Sequence, residues 1–318
     1  MTATKNSVFS RKNIQTFLPV IGLVIVIVLF AFTTGGKLFS AYNLSSIIAQ
    51  SVCLTIVSTG AVFTYALGSL DLSIGPTMGL CALIAALITN NNGSILLAFL
   101  AALGITISFS FINSVVSYAL HLDRILTTLF LSFTAGGLQL MISSSVGGTI
   151  YAMADWSLFK STSFQFIVMA VVVLLGIFLF NFTTIGKYGR AMGSNRVCAG
   201  QSGINIIKYQ IIIYIILAIC TAIGSLFLVS RAGSISWSTG SGFHMDVMIA
   251  LILGGMPMRG GVNSRIISAP IGSFTYTILS NGLTLSGVNM SIVGMCKALV
   301  FIVVIILTCR NKGRVIPR

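Results

Sequence analysis

The chain has 318 residues, 56% of them hydrophobic and only 7% charged. A soluble domain runs nearer a quarter charged, so these groups are too few to cover a water-facing surface, which excludes a soluble globular enzyme and a disordered chain. Glu is absent, and four Asp (Asp71, Asp123, Asp155, Asp246) stand against 18 Lys plus Arg, for a net charge of +14. Such an excess points either to nucleic acid or to the cytoplasmic bias of membrane loops, and the positions of the cations decide between them.

Apolar runs, broken by Gly, Pro, Asn or charge, predict ten membrane segments: 17–34, 44–67, 76–90, 94–120, 125–143, 164–182, 210–230, 244–256, 266–282 and 291–309. A bilayer crossing takes about 20 apolar residues, so the third and eighth are too short unless flanking residues extend them. The first run follows Lys5, Arg11 and Lys12 but is long and has no clean small-x-small site after it, and it reads as a retained anchor. Ten crossings place both termini on one side. With that side cytoplasmic, the inner segments hold fourteen cations: Lys5, Arg11, Lys12, Arg124, Lys187, Arg190, Arg196, Lys208, Arg259, Arg265, Arg310, Lys312, Arg314 and Arg318. The outer segments hold three, Lys37, Lys160 and Arg231, and Lys297 falls inside the last run. That split fits the positive-inside rule and accounts for the charge without nucleic acid. The sequence therefore predicts an all-α, polytopic integral membrane protein of about ten transmembrane helices, some short or discontinuous. A cytoplasmic segment (1–16) precedes a single membrane domain (17–309), and a basic cytoplasmic tail (310–318) follows it.

Two polar connections are long. The outer one, Ser143 to Ser163, carries Tyr151, Asp155 and Trp156, aromatics that suit a membrane interface and a short surface helix. The inner one, residues 183–209, holds four cations and no acid, and its glycine-punctuated helix-like stretches favour an ordered docking element. The six cysteines show no paired spacing, and the five within or at the ends of apolar runs read as small hydrophobes.

Catalytic machinery is not visible. Around Lys187 the phosphate-loop pattern fails twice, with Tyr188 after the lysine and Asn181 where the first glycine belongs. His121 and His244 stand far apart, and a nucleophile elbow is missing. Uphill movement of a solute would need an ion gradient or an ATPase on another chain.

Polar breaks within the apolar runs are the candidate sites. The first is Gly68-Ser69-Leu70-Asp71-Leu72-Ser73-Ile74-Gly75-Pro76. Non-helical backbone at membrane depth survives only where protein or a watery cavity satisfies it, and a carboxylate there faces the bundle interior or a cytoplasmic mouth. Asp71 and Ser73 either cap the following helix or contact the pathway. The second break, Gly240 to Asp246, again sets an Asp behind glycines, and Gly254 to Gly261 follows the next apolar run. One break in each half hints at an internal repeat. Asp246 is either an N-cap at the outer surface or a pathway group. Lys297, about six residues into the last run, either snorkels or serves transport.

These residues resemble the ten-span permease subunits of bacterial ABC importers of the ribose, galactose, xylose and autoinducer-2 type. Gly68 to Gly75 resembles the family's G-G-[IL]-D-L-S-[VI]-G, with Ser69 replacing the second glycine. Gly189-Arg190-Ala191-Met192-Gly193-Ser194-Asn195 and Ser202-Gly203-Ile204 are similar to its cytoplasmic signature. Gly240 to Gly261 resembles G-x-G-[YF]-E-L-D…G-G…G-G through Phe243, Asp246, Gly254, Gly255, Gly260 and Gly261, and Asn281-Gly282 and Lys297 also fall where the family has an N-G pair and a lysine. His244 replaces the usual Glu, and Gly200 a common Arg. The resemblance implies a dimeric pore, homo- or heteromeric, in the bacterial cytoplasmic membrane. Its partners would be a cytoplasmic ATP-binding subunit and an extracytoplasmic solute-binding protein, with ATP bound by the partner and no cofactor on this chain. It further implies import of a monosaccharide or similar small polar solute. Pathway or helix-break residues would be Asp71, Ser73, Asp246, Asn281 and Lys297, and ATPase coupling would fall to Arg190, Ala191, Gly193, Asn195, Arg196, Ser202 and Gly203. The alternatives are an ion-coupled secondary transporter, with Asp71, Asp246 and Lys297 as a relay, or a channel.

Overall fold

The computed structural model describes residues 11–289, 292–299 and 302. Helices α1 (Arg11–Thr33), α2 (Ala41–Ala66), α3 (Ile74–Asn92), α4 (Ile95–Ala119) and α5 (Arg124–Ser145) come first. A short strand β1 (Thr149–Tyr151), the single turn α6 (Ser157–Lys160), and α7 (Thr162–Phe182), α8 (Thr184–Ser194), α9 (Arg196–Gln201) and α10 (Ile206–Ala232) follow. The order ends with β2 (Ser234–Ser236), α11 (Phe243–Leu253) and α12 (Ser268–Leu285), and residues 292–299 are helical again. The protein is an all-α, polytopic membrane protein.

Small polar residues set the helix starts. Ser40, Ser94, Asp123, Thr183, Asn195 and Asn205 each accept a first-turn backbone N–H with the side chain, which satisfies donors a helix end leaves open. Gly93 and Gly233 close α3 and α10 in the left-handed conformation.

Six described helices are long and apolar enough to cross a membrane: α2, α3, α4, α5, α7 and α10. The third predicted segment thus extends to 19 residues, whereas the eighth, α11, keeps to 11, about 16 Å at 1.5 Å per residue against a core of about 30 Å. Helix α1 runs 23 residues, Arg11–Thr33, and takes in the apolar stretch Pro19–Thr33. The tenth run, 291–309, lies mostly outside the described residues, as do residues 1–10 and the basic tail.

Burial sorts the helices into an axis and a shell. Within its most apolar window α2 is 83% buried, whereas α4 and α7 are each 17% buried and turn most of their surface outward. The axis is lined with small residues, as helix contacts in lipid require. A Cβ at Gly60 would meet Cys220 of α10 at 2.7 Å, and one at Gly176 of α7 would meet Thr59 at 2.6 Å. A second core cluster, Phe30, Leu38, Ile47, Ile278 and Leu279, joins α1 to α2 and α12.

The outer connection differs from its expectation. β1 pairs antiparallel with β2, Thr149 opposite Ser236, and Asn90 at the end of α3 bonds the carbonyl of Tyr151 and the amide of Met153. The short helix there is one turn long, Trp156 is buried against Phe159, and Tyr151 is 63% exposed. Phe159 in turn meets Phe164 and Phe227 edge-on, and that packing draws the indole inward.

Candidate functional site: two breaks, a charge chain and a helix pair

The two glycine breaks that the sequence separates by some 170 positions touch each other. Residues 237–242 fold back against α3, so that a Cβ at Gly75 or Gly79 would strike the carbonyls of Gly240 or Thr239. Gln139 of α5 holds this segment by donating to the carbonyls of Ser236 and Thr239, both at 2.9 Å. Gly240 and Gly242 adopt positive φ (87° and 78°), which an L side chain would resist.

Within the first break Asp71 is 5% exposed, and its Oδ1 accepts the Ser73 amide at 2.8 Å and the Ser73 hydroxyl at 2.6 Å. Neither side chain caps the α3 first turn directly, because Ser73 turns its hydroxyl to Asp71 instead. Ser69 bonds the Tyr214 hydroxyl of α10 at 2.9 Å, and Thr128 of α5 accepts the Leu72 amide. Beside Asp71 lies a cavity of about 20 Å³ between α3, α4 and α10, lined also by Ser73, Thr77, Thr106, Ser110 and Thr221. Thr106 and Thr221 donate to their own helix carbonyls, which leaves oxygen lone pairs toward the cavity, and the Thr77 hydroxyl has no partner. The space suits one water molecule.

Asp246 is not an N-cap. Gly242 takes that position, and Asp246 sits one turn inside α11. There it accepts the hydroxyl of Tyr276 from α12, and the Lys297 ammonium donates to the same hydroxyl at 2.8 Å while lying 4.8 Å from the ring centre. Asn281, also on α12, keeps a buried Oδ1 without a partner.

The 183–209 connection is the helix pair α8 and α9, packed across the end of the bundle. Its small residues do not all face outward. A Cβ at Gly193 would collide with the Ala66 carbonyl at the end of α2, and Ala199 is buried. The Gly261 amide bonds that same carbonyl at 2.9 Å, and a Cβ at Gly260 would strike the Tyr65 carbonyl, so three of the sequence motifs converge on the end of α2. Arg190 donates to the carbonyls of Phe180 and Gly186 and lies over the Phe180 ring. Arg196 donates to Gln210, whose amide reaches Ser114 and Ser117 of α4. Asn195 caps α9, Ala191 is half-buried, and Ser202 and Gly203 are exposed together with Lys187, Ser194, Val197 and Cys198.

A family described as the permease component of branched-chain amino acid transport systems matches residues 43–308. The chain belongs to this family. The permease is similar to the ribose import permease protein of Escherichia coli strain K12, 24% identical over 98% of this chain and 99% of that one. It is also similar to the xylose transport system permease protein of Haemophilus influenzae, 26% identical over 86% and 90% of the two chains. The fructose import permease protein of Rhizobium meliloti is 27% identical over 85% and 79%.

Several residues that organise the permease escape sequence reasoning. Tyr276 and Gln210 each bond across to a second helix, Tyr214 ties α10 to the first break and Gln139 ties α5 to β2, yet no spacing in the sequence marks any of them. The usable signal is chemical: a Gln or Tyr inside an apolar helix needs a partner in lipid-facing surroundings, so each implies a neighbour of opposite hydrogen-bonding sense.

Proposed function

We propose that this chain forms the translocation pathway of an ATP-driven importer for a monosaccharide or related small polar solute. The observation that carries the reading is similarity along nearly the whole chain to import permeases whose names specify ribose, xylose and fructose. The permease pairs with a second permease subunit, takes solute from an extracytoplasmic binding protein, and works with a separate ATPase subunit that binds the nucleotide. Both termini and the 183–209 segment lie in the cytoplasm. Closure of the ATPase dimer presses on α8 and α9, and the two membrane bundles rock between outward and inward openings. The exposed Val197, Cys198, Ser202 and Gly203 supply the docking face, and Asn195 holds it by capping α9. Arg190, Arg196, Ala191 and Gly193 tie that face to the bundle and so carry motion inward. Among the proposed pathway residues, Asp71 and Ser73 shape the first break, whereas Asn281 retains an oxygen that can accept a solute hydroxyl.

Proteoliposomes containing the permease, its ATPase and its binding protein test this reading. Uptake of a pentose or hexose should require ATP and persist with an ionophore. Uptake that an ionophore abolishes and ATP leaves unchanged would establish an ion-coupled carrier instead, and single-channel currents without ATP would establish a channel.

A further inference from the structure

The hydrogen-bond chain Lys297–Tyr276–Asp246 has a fixed direction. An ammonium can only donate, so the Tyr276 hydroxyl receives it as an acceptor. The hydroxyl hydrogen is then free for one partner, the Asp246 carboxylate, which can only accept. One tyrosine oxygen thus joins a cation on the helical segment 292–299 to an anion on α11 through α12. Tyr276 is 5% exposed, and a chain of this kind is worth most where water does not compete.

The position of this chain gives it a task. α11 has 11 residues and is too short to be held by spanning the bilayer, so its place depends on lateral contacts. Asp246 stands at its N-terminal end. Its C-terminal end runs into Gly254, which lies against the Ser268 backbone, and onward to Gly260 and Gly261, which clasp the end of α2 beside Gly193 of α8. The short helix therefore connects the charge chain at one end to the proposed ATPase-coupling pair at the other. We propose that Tyr276 is a positioning residue for transport: it fixes the N-terminal end of α11, so that α11 acts as a rigid strut between this anchor and the coupling helices. The inference rests on the proposed function and adds to it a residue and a moving part.

Hydrogen exchange over residues 243–253 in the purified, detergent-solubilised permease reads the anchor without any transport. Tyr276→Phe should raise exchange at least tenfold in the first turns of α11, and an unchanged pattern overturns the proposal. In proteoliposomes with the partner subunits, Tyr276→Phe, Lys297→Met and Asp246→Asn should each lower the solute carried per ATP hydrolysed at least tenfold. The double variant Asp246→Asn with Lys297→Met should recover to within about threefold of wild type, because an amide still accepts from Tyr276 and no charge is left uncompensated. A merely structural loss would remove both activities together and leave their ratio unchanged. A normal ratio in Tyr276→Phe, or a double variant whose defect is the product of the two single ones, overturns the proposal. Should Tyr276→Phe fail to accumulate, the Asp246–Lys297 cycle decides alone. If wild type shows no ATP-driven uptake, the proposed function falls, while the exchange measurement still judges the anchor.

Discussion

Asp71 shows how one carboxylate organises a break in the backbone. Its Oδ1 takes both the amide and the hydroxyl of Ser73, so the chain turns from the end of α2 into α3 with these donors satisfied. Asp71→Leu removes the acceptor and leaves two donors unpaired in a site 5% exposed, a loss on the order of 3 kcal/mol. Asp71→Asn keeps an oxygen in place and should cost about half as much. Thermal unfolding in detergent checks both, and equal melting for Asp71→Leu and wild type would mean that the bond pair does not hold the break. The importance of Asp71 is legible in the sequence, because a charge among apolar residues must be explained. Tyr276 is not legible in that way. Its partners lie 30 and 21 positions away, and only the packing of α11, α12 and the last helical segment brings them together.

The elements repeat this contrast between local and distant causes. Helix starts at Ser40, Ser94, Asp123 and Asn205 follow from residues that cap well, and breaks at the glycines follow from φ values that others resist, so most helices are readable in order. Which face of a helix packs is a tertiary fact. Gly193 and Ala199 are as small as a docking surface would need, yet both face this chain's own bundle, and the outward residues are Val197, Cys198 and Ser202. The consequence is a pair of opposite expectations. Gly193→Ala should lower thermal stability and membrane yield, because its methyl group meets a backbone carbonyl that cannot swing aside. Val197→Asp, at a residue 68% exposed, should leave melting unchanged while reducing the ATPase recovered with the permease at least fivefold. Full recovery of the ATPase with Val197→Asp would remove α9 from the docking face.

At the scale of the whole molecule, two opposite ends of the bundle are defined by contacts, and the cations are divided between them. One end gathers β1, β2, Asn90 and the turn before α7. The other gathers the end of α2, α8, α9 and Gly261, and there Arg124, Arg190 and Arg196 donate to the carbonyls of Leu67 and Phe180 and to Gln210. Helix α7, 21 residues or about 31 Å long, separates Ser163 at the first end from α8 and α9 at the second, and one bilayer fits between them. The proposed orientation, which follows the positive-inside rule, puts the second end in the cytoplasm. Cysteine accessibility can read this from the native chain. Cys53, Cys81 and Cys220 are buried and should stay silent toward a membrane-impermeant maleimide, whereas Cys198 on α9 is exposed. In right-side-out vesicles Cys198 should remain unlabelled, and in inverted vesicles it should react. In a Cys198→Ser background, Ser163→Cys should show the reverse pattern, because Ser163 is exposed at the opposite end. Labelling of both positions from the same face would break the assignment of α7 as a crossing, and inversion of both patterns would place the coupling pair outside and defeat the ATP-driven mechanism.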